Sequence, residues 1–149
     1  MNAVTVLGEF YFSRLLGKPI YDSNGVRIGR IKDMTARWDS ASPQVVGIKH
    51  AKKVHDLIPV EMVERCTEQG VYLVDGFSDS KLAPLSEDDI YISKWLLDKQ
   101  IIDLKGSRLV RVNDITLSWI AQDNHRRMVL MAVDIGVRGL FRRLGLEFL

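Results

Sequence analysis

The chain has 149 residues, 46% of them apolar and 27% charged, with a formal net charge of +2. This profile excludes a disordered tail, and it lacks the dense basic footprint of a dedicated nucleic-acid binder, so nucleic acid is not an expected partner. The single cysteine, Cys66, excludes an intramolecular disulfide and a cysteine-based zinc site, and a reducing, cytoplasmic setting is expected.

The opening "MNAVTVLGEFYFSRLL" lacks the basic-then-apolar plan of a secretory signal. Next, "PIYD" and "VRIGRIKDM" flank "SNG", and Asn24-Gly25 predicts a β-hairpin, since both residues tolerate positive φ. Val26 and Ile28 alternate, but Ile31 falls out of phase. A β-bulge near Gly29 and Arg30 would return the apolar side to the core. "MTARWD" and "QVVGIKH" around "SASP" predict a second hairpin. "DLIPVEMVERC", with a helical turn within residues 60–65, and "GVYLVD" follow across a turn at Gln69-Gly70. "GFSDSKLAPLSEDD" is rich in Ser, Asp, Pro and Gly and reads as a linker. A helical turn is expected within residues 92–97. Beyond it, "DITLSWIA" and "RMVLMAVDIG" flank "QDNHR", a slightly longer hairpin, and "VRGLFRRLGLEFL" reads as a C-terminal helix. The best apolar run, "MVLMAVDIGV", is short and contains Asp134, so no membrane insertion is expected.

A repeat organises these elements. "LLGKPIYDSNGVRIGRIKDM" begins at Leu15, and "LLDKQIIDLKGSRLVRVNDI" begins at Leu96. Asp22 pairs with Asp103, Gly25 with Gly106, Arg30 with Arg111 and Asp33 with Asp114. Trp38 meets Trp119 at the same offset. Such ungapped similarity reads as an internal duplication. The second copy has Lys105-Gly106 at its turn. It shows the same phase slip between Leu109 and Val112, which predicts a bulge shared by both copies.

The first copy resembles the PRC-barrel family, in its G-R-I-K-D segment and in "LIPVEMVERCTEQGVYL", which is similar to that family's closing pattern. The family includes the cytoplasmic barrel of the photosynthetic reaction-centre H subunit and the C-terminal domain of the ribosome maturation factor RimM. The two-copy layout with "VDIGVRGLFRRLG" resembles the N-terminal region of MgtE-like magnesium transporters, where paired PRC-type segments precede MgtE N-terminal and CBS domains. The resemblance implies a cytosolic accessory domain that docks other domains of a longer chain or a protein partner. No segment matching "LIPVEMVERC" follows "MAVDIG" in the second copy. This points to a larger protein and to open strand edges, which favour a homodimer.

Candidate chemistry is sparse. Lys49, Lys52 and Lys53, with His50 and His55, form a basic cluster suited to an anion or to RNA phosphate; a solvated hairpin end is the simpler reading. Arg138, Phe141, Arg142 and Arg143 would give the C-terminal helix a basic, amphipathic face for a partner domain, against the simpler reading of a linker helix. Asp22, Asp33, Asp103 and Asp114 tempt a magnesium reading. Turn roles explain them with less, because Mg²⁺ needs converging oxygen ligands. Trp38 and Trp119 could stack bases but suit packing better, and Cys66 reads as a buried apolar residue. No catalytic motif occurs, so neither an enzyme, a cofactor nor a metal site is expected.

The expectation is a mainly β protein. Residues 1–76 form one small antiparallel PRC-type barrel, residues 77–90 a linker, and residues 91–149 a second barrel lacking its closing segment, with a short C-terminal helix. The expected role is a non-catalytic interaction or regulatory module of an MgtE-like magnesium-transport or CBS-domain protein. The alternatives are a RimM-like ribosome-assembly factor and a small metal-binding sensor.

Overall fold

The computed structural model describes residues 3–38, 43–95, 100–103, 108–134 and 141–143. The fold is mainly β with antiparallel sheets. Strand β1 (Thr5–Tyr11) leads into a one-turn helix α1 (Phe12–Leu15), then β2 (Pro19–Tyr21), β3 (Arg27–Arg30), β4 (Asp33–Arg37) and β5 (Gln44–Lys49). Strand β6 (Ile58–Pro59), a 3₁₀ turn (Val60–Met62), β7 (Val63–Thr67), β8 (Gly70–Leu73) and a second 3₁₀ turn (Asp79–Lys81) complete the first half. The second half runs β9 (Asp89–Tyr91), α2 (Ile92–Trp95), β10 (Gln100–Asp103), β11 (Arg108–Arg111), β12 (Asp114–Gln122), β13 (His125–Asp134) and β14 (Phe141–Arg143).

The first hairpin forms as expected, but its turn works differently. Asp22 Oδ1 accepts the backbone N–H groups of Asn24 and Val26, both at 2.9 Å, and Gly25 alone takes positive φ, at 79°. The carboxylate thus builds an Asx turn, so Asn24 need not enter the left-handed region. The hairpin joining β12 to β13 is tighter than expected. Gln122 faces His125 across a two-residue turn, with Asp123 and Asn124 at φ 54° and 64°. Two left-handed central residues match the right-handed twist of the flanking strands.

The expected shared bulge is corrected. Ile20 faces Gly29 and Tyr21 faces Arg27, so the extra residue of the first pair is Ile28. The equivalent β10–β11 ladder is regular from Gln100↔Arg111 to Asp103↔Arg108. The phase slip is instead absorbed just after these strands, at the buried Ile31 and Val112. Ile31 exchanges hydrogen bonds with Lys18 and Gly17, at 2.8 and 2.7 Å, while the flanking Arg30 and Lys32 N–H groups donate the other way, to His50 and Lys49. The chain passes from one sheet to the other here, which is a barrel corner made by changing partners.

A second correction concerns part of the expected C-terminal helix; the rest of it, residues 137–140 and 144–149, lies outside the described residues. Phe141–Arg143 is strand, laddered onto Asp134, Val133 and Ala132 of β13. The free edge of a ten-residue strand offers backbone partners that override the helical leaning of an "LFRR" segment.

The larger sheet runs β1-β12-β13-β5-β4-β9, with β14 added on β13 and β6 on β5; a four-stranded sheet runs β3-β2-β8-β7. The six-strand order is a palindrome. In the repeat β4 corresponds to β12 and β5 to β13, and the central β5–β13 pair is antiparallel. Strands β1 and β9 correspond too, through "EFYFS" at Glu9 and "DIYIS" at Asp89. Yet β1 pairs with β12, and β9 pairs with β4. Each half therefore lends its first strand to the other, with Tyr11↔Thr116 and Tyr91↔Thr35 as matching pairs. One continuous core holds both halves, from Phe12, Leu15, Ile20 and Met34 to Ile92, Ile115, Leu117 and Trp119.

Candidate functional site

Among the recurring aspartates, two fasten the exchange. Asp114 Oδ1 accepts the Ser13 N–H at 3.1 Å and Oδ2 accepts the Ser13 hydroxyl, so the second half holds α1. Asp33 Oδ1 accepts the Ser93 N–H at 3.2 Å, so the first half holds the start of α2. Each aspartate also caps its own strand, through Ile115 N–H and Met34 N–H, both at 2.8 Å. Asp22, Asp33 and Asp114 thus serve backbone N–H groups. Among the described residues no group of three or more His, Cys, Asp or Glu is placed to hold a metal ion.

The basic cluster sits on the turn between β5 and β6. Lys52, Lys53 and His55 are exposed, while Lys49 is half-buried, with Nζ 5.7 Å from the centre of the Tyr91 ring. The β3–β4 corner arrives at the same place: Arg30 N–H donates to the His50 carbonyl at 3.2 Å, and Lys32 N–H to that of Lys49 at 2.8 Å. Gly29 permits this approach, because a Cβ there would lie 2.6 Å from the His50 carbonyl oxygen. Arg30 and Lys32 are both exposed, and these backbone bonds bring their segment beside the lysine turn; the Arg30 guanidinium itself donates to the Gly17 carbonyl at 3.2 Å. Sequence reasoning missed them, although cations flanking an inward Ile31 were a readable signal. His50 faces inward. Its Nδ1 is buried without a hydrogen-bond partner among the described residues, and burial lowers its pKa against the opposing pull of Asp79.

The other sequence candidates lie elsewhere. Arg138 is outside the described residues, and Phe141, Arg142 and Arg143 belong to β14. Met128 faces Val45 across the central pair, so Lys49 lies toward the turn at Asp123 and Asn124, while β14 ladders on the opposite end of β13. About eight strand positions, roughly 27 Å, separate the two along the strand direction. They do not make one surface.

Three openings lie among the described residues named here. A cavity of about 530 Å³ has Leu7, Cys66, Thr67 and Trp119 in its wall, with Arg65 and Arg126 beside them. Another of about 380 Å³ lies along Glu9, Phe10, Tyr11, Arg14 and Lys18. A third, about 190 Å³, lies where Ala83 pairs with Leu57, and it includes Thr35, whose buried hydroxyl has no hydrogen-bond partner among the described residues. The Cys66 thiol is buried, and desolvation pushes its pKa up to about 12, so it stays protonated. Trp119 is buried and Trp38 packs against the core from its edge, which is packing rather than base stacking.

The profile of the PRC-barrel domain family matches residues 7–81. The chain belongs to the PRC-barrel domain family. The match runs from β1 to the 3₁₀ turn Asp79–Lys81, and so takes in a strand whose ladder partner, β12, lies outside it. Comparison with curated proteins gives no match. PRC-barrel membership supports an interaction module. Among the described residues no helix is long and apolar enough to cross a membrane.

Proposed function

We propose that this PRC-barrel protein is a non-catalytic docking module: the cytosolic N-terminal region of an MgtE-like magnesium-transport or CBS-domain protein, holding a neighbouring domain of the same longer chain. The observation that carries the docking reading is a basic region made by the exposed Lys52 and Lys53 of the β5–β6 turn and by the neighbouring segment that carries the exposed Arg30 and Lys32. It is assembled from two separate segments by backbone hydrogen bonds rather than by one flexible loop. Like charges gathered on a nearly neutral protein repel one another until an acidic surface meets them. The magnesium-transport context rests on the "VDIGVRGLFRRLG" segment and the tandem layout.

The test is a calorimetric titration of this chain with the polypeptide that its gene encodes beyond Leu149, expressed separately. Saturable binding that weakens with salt is the expected result. Lys52→Glu with Lys53→Glu should raise Kd at least tenfold. No binding at low salt, or a reading frame without helical MgtE and CBS segments, overturns the proposal.

A further inference from the structure

An arginine stands at the end of an inward apolar row of the larger sheet. On β13 the alternating residues Arg126, Met128 and Leu130 share a face, opposite Ala121, Trp119 and Leu117 of β12. Met128, Leu130, Leu117 and Trp119 all belong to the buried core. Arg126 keeps their face but is exposed, because the core opens there into the cavity of about 530 Å³. Strand β7 of the smaller sheet borders the same opening with Cys66, Glu64 and Arg65. The Arg65 guanidinium lies 4.0 Å from the centre of the Tyr72 ring, and Tyr72 stacks on Tyr21 with ring centres 5.2 Å apart. The rings thus hold this arginine at the rim through its cation–π face. Among the described residues neither Arg65 nor Arg126 makes an ion pair with a carboxylate.

We infer that this opening binds a small amphipathic carboxylate, an apolar body carrying one negative charge. Its volume falls within the roughly 300–1,000 Å³ of small-molecule sites. Leu7, Cys66 and Trp119 supply apolar wall, and the Cys66 thiol stays protonated, so it adds no negative charge. The planar fork of a guanidinium matches a carboxylate through two parallel hydrogen bonds, which fixes the orientation of the bound acid. Glu64 borders the opening too, so two arginines meet one carboxylate and a single positive charge remains. That balance favours a monoanion over a dianion such as phosphate, and it rejects an amine. Both arginines reach solvent, so the attraction is screened and the affinity falls with salt. The site shares no residue with the basic region proposed for docking, and either can fail alone.

Calorimetric titration of the 149-residue chain with sodium octanoate, kept below micelle-forming concentrations, tests this. Saturable one-to-one binding is the expected result. Arg126→Ala should raise the dissociation constant about tenfold, as loss of a charge-assisted hydrogen bond does, and Arg65→Ala should act in the same direction. Lys53→Ala, at an exposed position on the β5–β6 turn, should leave it unchanged. Octylammonium, acetate and inorganic phosphate should bind far more weakly than octanoate. Circular dichroism of each variant confirms that it is folded. No saturable binding of octanoate overturns the inference. Binding indifferent to both arginine variants, equally weakened by Lys53→Ala, or matched by octylammonium, acetate or phosphate overturns it as well.

Discussion

Single residues show where backbone closeness, rather than side-chain chemistry, governs this protein. Gly29 lets the β3–β4 corner lie against the carbonyl of His50. Gly29→Ala forces that carbonyl or the corner to move and should cost about 1–3 kcal/mol in a urea denaturation series, as overpacking does. It should also loosen the segment of Arg30 and Lys32 from the lysine turn, which rests on the same contact. His50 gives a pH signature. Its folded pKa lies below the ordinary 6.5, so its contribution to stability is present above pH 6.5 and is lost as the pH falls through the folded value. Imidazole chemical shifts followed by NMR should place its midpoint below 6.5. Cys66 acts at the other end of the scale. The thiol is held protonated to about 12, so the stability it contributes is present below about pH 9 and is lost as the pH rises toward 12. Thiol labelling at pH 8 should be slow in the folded protein and become fast in denaturant.

At the scale of elements, the exchanged strand–helix units are fastened by Asp33 and Asp114. Asp114→Ala removes both bonds to Ser13 and the cap on Ile115. The expected loss is about 1–3 kcal/mol, with faster amide hydrogen exchange in β1 than in β4 or β5. Uniform exchange across all strands would count against the fastening role. Sequence alone read most hairpins well, because alternation and turn residues act within a few positions. The pairing of β4 with β5 and of β7 with β8 follows from signals such as "SASP" and Gln69-Gly70. It read the end of the chain less well. The segment around Phe141 carries good helix formers, and what makes it a strand is the free edge of β13 from Ala132 to Asp134, a partner not contiguous with it in sequence.

For the molecule as a whole, the exchange means that neither half owns a complete core. Leu15 and Ile20 from the first half and Ile115 and Leu117 from the second belong to one buried cluster. Heat or denaturant should therefore unfold the chain in one transition, with circular dichroism and tryptophan fluorescence coincident. Two separated transitions would show that the halves are independent barrels after all.

By itself the sequence determined the class of the fold, its doubling and the family of its first half. Val and Ile alternation, Asx-prone turns and a repeated twenty-residue stretch are local facts that any tertiary arrangement must respect. The partner of each strand was decided only in three dimensions. Strands β4 and β12 would offer β1 closely similar residues, so local chemistry barely distinguishes pairing within a half from pairing across halves. The arrangement that buries one shared core settles it, sending Ser13 to Asp114 and Ser93 to Asp33. The same packing brought the segment of Arg30 and Lys32 to the lysine turn, a neighbourhood that no local signal in the sequence specifies.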